Sequence, residues 1–153
     1  MLSWDELDFI YFGGYATWNY LAAPFIFLRP GFHFEVLEPV RIASSSWFRL
    51  KVTFPDDLPS HPREQLYYFD ENWRLQRLDY VAEVVGGWAH AAHLCENYRN
   101  FNGLMFPTHR RVRLILFGDH PLPGPILVAL DIHNILPVSH STTSDLNNSS
   151  GKS

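Results

Sequence analysis

Three side chains in the sequence could handle protons in a reaction, namely His61, Asp79 and Asp131. Histidine titrates near neutral pH, so His61 is a candidate general base or a hydrogen-bonding group for a ligand. Asp79 and Asp131 lie in otherwise apolar segments, where burial would raise the pKa of a carboxyl group and suit it to acid or base catalysis. The structural alternatives are that His61 bonds to loop carbonyl groups and that each aspartate pairs with an arginine. The arginines available for such pairing are Arg77, Arg110 and Arg111.

A basic run, His109-Arg110-Arg111-Val112-Arg113, forms the second group of candidates. On a β-strand, His109, Arg111 and Arg113 would share one face, and Arg110 would lie on the other. His109 and Arg111 could then bind a carboxylate or phosphate group of a ligand. The alternative is a solvent-exposed sheet face, which basic strand residues commonly mark.

Aromatic residues form a third pattern. Tyr11, Tyr15 and Trp18 are spaced three and four apart, so on a helix they would form one stripe. Such a stripe belongs either to a protein core or to the wall of a ligand pocket. Together with Tyr80, these residues are candidates for contacts with an apolar ligand.

The sequence predicts neither a metal site nor a cofactor. His90, His93, Cys95 and Glu96 carry metal-ligating groups, and on a helix the two histidines would share a face. Residues three apart on a strand point to opposite faces, and we favour a strand after Gly86-Gly87. Signatures of a P-loop, a dinucleotide-binding loop and a nucleophilic serine are absent from the sequence.

Composition indicates one folded domain. The 153 residues are 46% hydrophobic and 16% aromatic, which excludes a disordered chain. A net charge of −4 argues against a nucleic-acid partner. The single cysteine excludes an internal disulfide and predicts a cytoplasmic protein. Polar residues after Pro137 predict a disordered tail at 138–153, so the domain is expected to span 1–137.

The N-terminal region predicts a buried helix. Phe9–Leu28 is uncharged and long enough to span a bilayer, but asparagine and tyrosine at its centre favour burial in a protein, so we predict no membrane partner. Ser3 and Glu6 form a capping box, which predicts that the helix begins at Trp4 and ends before Pro30. Because the helix is apolar nearly all round, we expect it to be buried on several sides.

From Phe32 onward the hydrophobic period changes to two, which predicts strands. Turn residues at Asp70-Glu71-Asn72 and at Asn102-Gly103 predict hairpins. The fold class predicted is mainly β (α+β), with an N-terminal helix covering a curved antiparallel meander of about six strands. The predicted strands are Trp47–Phe54, Gln65–Phe69, Arg74–Val85, Trp88–Tyr98, Leu104–Phe117 and Ile126–Ile132.

Several segments resemble a widespread family of uncharacterised microbial proteins. They are YFGGYATWNYLAAPFIFLRPGF, FRLKVTFPDDLPSHPREQLYYFD, RLDYVAEVVGG, FNGLMFPTHRRV and PILVALDIHNI. The similarity covers Trp4 to Ile135 and concerns the C-terminal half of that family, whose sheet is similar to LolA-type and lipocalin-like half barrels. The resemblance implies an apolar ligand in a concave face and implies no catalytic residue. A half barrel without its N-terminal half would leave a strand edge open, so we expect a homodimer or a truncated gene product.

Three functions are compatible with the sequence. The first is binding of a small hydrophobic molecule in an aromatic-lined cavity. The second is a cofactor-free isomerase or cyclase of secondary metabolism, in which His61, Asp79 or Asp131 would handle protons. The third is a non-catalytic half-domain that needs a dimer partner. We favour the first, although a fold resemblance does not determine a function.

Overall fold

A computed structural model of the chain describes residues 6–60, 62–81, 90–115, 120–136 and 138. Within these residues the chain forms one α-helix, one short 3-10 helix and seven strands. Their bounds are α1 (Glu6–Ala22), the 3-10 helix (Phe25–Leu28), β1 (His33–Ile42), β2 (Ser45–Thr53), β3 (Glu64–Phe69), β4 (Leu75–Val81), β5 (His90–Phe101), β6 (Leu104–Ile115) and β7 (Val128–Asp131). All but one residue of the tail predicted to be disordered, 138–153, lies outside the described residues.

The strands form one curved, unclosed antiparallel sheet in which each strand pairs with the next, from β1 to β7. This confirms the predicted fold class, with seven strands where about six were expected. Asn102 and Gly103 form the predicted tight turn between β5 and β6, with φ angles of 53° and 93°. The turn between β1 and β2 contains Ala43 at φ 54°, a conformation that alanine rarely adopts, and the sequence therefore gave no signal for it.

The helix ends earlier and is more exposed than the sequence predicted, and its predicted start at Trp4 lies outside the described residues. It ends at Ala22 because Pro24 has no backbone N–H to continue the helix, and a 3-10 turn follows. The expectation of burial on several sides is wrong for its first half, where Leu7 and Ile10 are exposed. Its last turns contact the sheet through Tyr20. No helix within the described ranges is both long and apolar enough to cross a bilayer.

The two faces of the sheet carry different side chains. We call the face that α1 contacts the helix face and the opposite one the outer face. One row of residues in register crosses the helix face and contains Leu50, Tyr67, Leu78, His93 and Val112. Most of this row is buried and belongs to the hydrophobic core. The outer face carries mainly charged and polar side chains, among them Lys51, Tyr68, Arg77, Asp79, His109 and Arg111.

Candidate functional site

The outer face brings together His109, Arg111 and Asp131, as the alternation within β6 predicted for the first two. Arg111 Nη2 donates to both oxygens of Asp131 at 2.8 and 2.9 Å. His109 Nδ1 lies 2.9 Å from Asp131 Oδ1. Hydrogen bonding from Arg111 is the main reason that the pKa of Asp131 lies below its usual value. Arg111 and His109 thus already contact a carboxylate of the chain, and Asp131 follows the arginine-pairing alternative.

Asp79 also pairs with an arginine on the outer face. Arg77 Nε and Nη2 donate to its two oxygens at 2.6 and 2.7 Å. The guanidinium carbon of Arg77 lies 4.9 Å from the centre of the Tyr68 ring. A carboxylate held in a bidentate pair is poorly suited to accept a proton from a substrate. His61, the third candidate for proton transfer, lies outside the described residues.

A cleft of about 530 Å³ on the outer face is lined by Lys51, Glu64, Tyr68, Asp79 and His90, among others. Lys51 Nζ lies 3.1 Å from Glu64 Oε2, and Asp79 is bound to Arg77 as described above. Because these charges already have partners, the cleft offers little for recognition of a charged ligand.

His90 lies in this cleft, whereas His93 is buried on the helix face. The prediction that both histidines lie on a strand, on opposite faces, is confirmed.

Tyr80 lies beneath α1. Its hydroxyl is 2.5 Å from the Tyr20 hydroxyl, and the Tyr20 ring packs edge-on against His93 with centroids 4.2 Å apart. Burial raises the pKa of Tyr80 to about 12 and raises that of Tyr20 further. Both phenols are therefore neutral at physiological pH. The hydrogen bond between their hydroxyl groups holds α1 against the sheet.

The aromatic stripe of α1 does not belong to the core. Tyr11 is 67% exposed and Trp18 is 47% exposed, whereas Tyr15 is half-buried. The Tyr11 and Tyr15 rings contact each other with centroids 5.5 Å apart. Neither Tyr11, Tyr15 nor Trp18 lines the helix-face cavities that follow. The core interpretation is therefore wrong for Tyr11 and Trp18, because both side chains are exposed.

Three neighbouring cavities on the helix face form what we call the aromatic groove. The largest holds about 550 Å³ and lies where the end of α1 approaches β4, β5 and β6. It shares Phe25, Leu104 and Phe106 with a second cavity of about 390 Å³. It shares Trp73 with a third cavity of about 250 Å³. In this third cavity the Trp73 ring stacks on the Phe48 ring, with centroids 4.8 Å apart. The groove therefore runs from Phe48 to the residues after β7, along the part of the sheet that α1 leaves open.

Arg110 reaches this groove from β6. Arg110 is only 2% exposed, and its guanidinium carbon lies 5.2 Å from the centre of the Phe106 ring. Nε is buried without a hydrogen-bond partner among the described residues. Strand alternation predicts Arg110 on the opposite face from Arg111, and Arg111 is the predicted ligand contact. The overlooked signal is that alternation puts Arg110 on the same face as the apolar Val112.

Comparison with known proteins gives structural similarity alone. A search of solved structures finds a LolA superfamily protein from Nitrosomonas europaea, with 21% identity and a TM-score of 0.46. The similar region covers 56% of this chain and 38% of that protein, so this chain spans well under half of its length. No family model and no curated protein matches the chain. The microbial family expected from the sequence motifs stays a prediction.

Proposed function

We propose that the protein binds a small, largely apolar molecule in the aromatic groove. The observation that supports this proposal most directly is the groove itself, whose main cavity of about 550 Å³ is within the usual size range of small-molecule sites. Its walls are mainly aromatic and aliphatic, and Trp73, which two of its cavities share, is 70% exposed. Covering such surface with an apolar ligand removes it from water, which is favourable.

The alternative of an isomerase or cyclase needs a group at the groove that can exchange protons. Of the three candidates, His61 lies outside the described residues, and Asp79 and Asp131 lie on the outer face, where both are bonded to arginines. Tyr80 and Tyr20 bond to each other under α1. Binding is therefore the function that the described geometry supports best.

A second copy of the chain is another possible occupant of the apolar surface, as the homodimer expectation implies. Phe34 and Val36 on the edge strand β1 are exposed and continue the surface beyond Phe48. Sedimentation of the unliganded protein tests this occupant. A dimer that Trp73→Ala abolishes would assign the groove to a partner chain and overturn the small-molecule proposal.

A titration with Nile red tests binding, because this neutral dye fluoresces strongly in apolar surroundings. We expect saturable binding to the native chain. Trp73→Ala should weaken it about ten-fold or more, since it removes a large aromatic contact. Trp18→Ala is the matched control, because Trp18 is partly exposed on α1 and does not line the groove. Equal affinity in Trp73→Ala and the native chain would contradict the proposal.

A further inference from the structure

Arg110 is a buried cation in an apolar setting. Arginine stays protonated in proteins, and taking its charge out of water is unfavourable unless a partner compensates. The other well-buried arginines of the sheet have such partners, since Arg77 pairs with Asp79 and Arg111 pairs with Asp131. The Nε atom of Arg110 is buried without a hydrogen-bond partner in the described part of the chain. Its contact with the Phe106 ring compensates only in part.

The titratable groups that interact with Arg110 do not supply a negative charge. They are Cys95, Tyr67 and Tyr98, and burial raises the pKa of each, to about 11 for Cys95. Tyr67 donates its hydroxyl hydrogen to Gln65 Oε1, and Tyr98 donates to the Leu75 carbonyl. All three are neutral at physiological pH, so the positive charge of Arg110 is unbalanced by them.

The main cavity of the groove has a second cation and no described acid. Arg74 lines it along with Arg110, and its guanidinium carbon lies 5.6 Å from the centre of the Tyr98 ring. None of the described lining residues is an aspartate or a glutamate. Asp70 does not line the cavity, although its charge acts on Tyr98, and it accepts hydrogen bonds from two backbone N–H groups of its turn and from Gln76 Nε2. Among the described lining residues, the cavity therefore carries two arginines and no acidic side chain.

We propose that Arg110, assisted by Arg74, binds an oxyanion of the ligand, so that the groove selects amphiphiles with a carboxylate or phosphate head and an apolar body. Arginine matches both oxyanions through paired N–H donors. The apolar body would extend past Phe25 and Phe106 into the adjoining cavity of about 390 Å³. This inference rests on the proposed function and specifies its ligand class.

The test compares ligands that share one tail and differ in their head. Dodecanoate, dodecyl phosphate and dodecanol displace Nile red from the native chain at neutral pH, below their micelle concentrations. We expect at least one of the two anions to bind about ten-fold more tightly than dodecanol, because a charge-assisted pair replaces an unpaired buried charge. Whichever anion binds more tightly identifies the head group.

Substitutions then test whether the preference for anions over dodecanol depends on Arg110. Arg110→Met should abolish the difference between anion and alcohol while preserving dodecanol binding. Arg113→Gln is the control on the same strand, since Arg113 lies on the outer face and bonds to the Gly124 carbonyl. If Arg110→Met fails to fold, the exposed Arg74→Gln should still reduce the preference about three-fold. Equal affinity for the three ligands in the native chain overturns the oxyanion site alone, whereas no displacement together with no Nile red binding overturns the proposed function as well.

Discussion

The Tyr20 hydroxyl lies 2.5 Å from the Tyr80 hydroxyl and joins α1 to β4 through a buried hydrogen bond. One residue earlier on the helix, Asn19 Nδ2 donates to the Pro59 carbonyl at 2.9 Å. These two bonds lie in the last turns of α1, beside the residues that continue into the wall of the aromatic groove. The position of Phe25 in that wall therefore depends on how firmly the end of the helix is held.

Tyr80→Phe should destabilise the fold. The substitution removes the buried hydrogen bond to Tyr20, whose net contribution to stability is about 0.5–1.5 kcal/mol. Tyr20→Phe should cost a similar amount, and the double variant should cost less than the sum, because both substitutions remove one shared bond. Urea denaturation measures the free energy of unfolding of each variant.

Tyr11→Phe is the matched control for these variants. Tyr11 lies on the same helix but is exposed. The free energy of unfolding of Tyr11→Phe should therefore stay within about 0.5 kcal/mol of the native value. A Tyr80→Phe variant as stable as the Tyr11→Phe control would contradict the structural role assigned to the Tyr20–Tyr80 bond.

The helix shows what sequence alone can and cannot predict. Its existence follows from the apolar run, and its end at Ala22 follows from Pro24, which lies six residues before the predicted end at Pro30. The exposure of Tyr11 could not be predicted, because it depends on how far the sheet extends beneath the helix. That extent is a tertiary property, and an all-round apolar pattern carries no information about it.

Asp131 should make stability depend on acidic pH. Its pKa is lowered by Arg111, so the unfolded chain takes up the proton at a higher pH than the folded chain does. Its stabilising contribution is therefore present above about pH 4 and is lost as the pH falls through the lower pKa of the folded state. Asp131→Asn should lower the melting temperature at neutral pH, and the gap to the native chain should close under acid conditions. Calorimetry across this pH range measures both.

A second background separates the Asp131 pair from unrelated effects of acid. In Arg111→Gln, the principal partner of Asp131 is already gone, so adding Asp131→Asn should change the melting temperature less than it does in the native chain. If the melting temperatures of Asp131→Asn and the native chain differ by the same amount at neutral and acidic pH, the carboxylate makes no pH-dependent contribution to stability.

The neighbours Arg110 and Arg111 show a second limit of sequence reasoning. Strand alternation is local, so their placement on opposite faces was predictable. The ion pair of Arg111 was not predictable, because Asp131 reaches Arg111 only through the register of β6 with β7, which pairs His109 with Asp131. Likewise, the aromatic groove combines residues from the 3-10 helix, the β3–β4 turn and the β5–β6 hairpin. No pattern within one segment indicates that these parts meet.

Asp79→Ala should be strongly destabilising. The Arg77 side chain is only 3% exposed, so loss of the carboxylate leaves a buried guanidinium without its bidentate partner, at a cost of about 3–5 kcal/mol. The control is Asp57→Ala, which breaks the exposed pair with Arg29 and should cost less than about 1 kcal/mol. Replacing both residues, in Arg77→Met with Asp79→Leu, should recover much of the loss. Equal costs for the two single variants in urea denaturation would refute this difference between the pairs.

Cys95 should resist alkylation in the folded protein. It lies opposite Arg110 in the β5–β6 register and is fully buried, and burial raises the pKa of its thiol to about 11. The thiolate is the reactive form, so iodoacetamide should label the native chain about a hundred-fold more slowly than the chain unfolded in urea. Because the chain has one cysteine, intact-mass measurement assigns every adduct to Cys95. Labelling at the same rate in both states would mean that the β5–β6 core beside the groove opens readily, and the packing described for that core would be wrong.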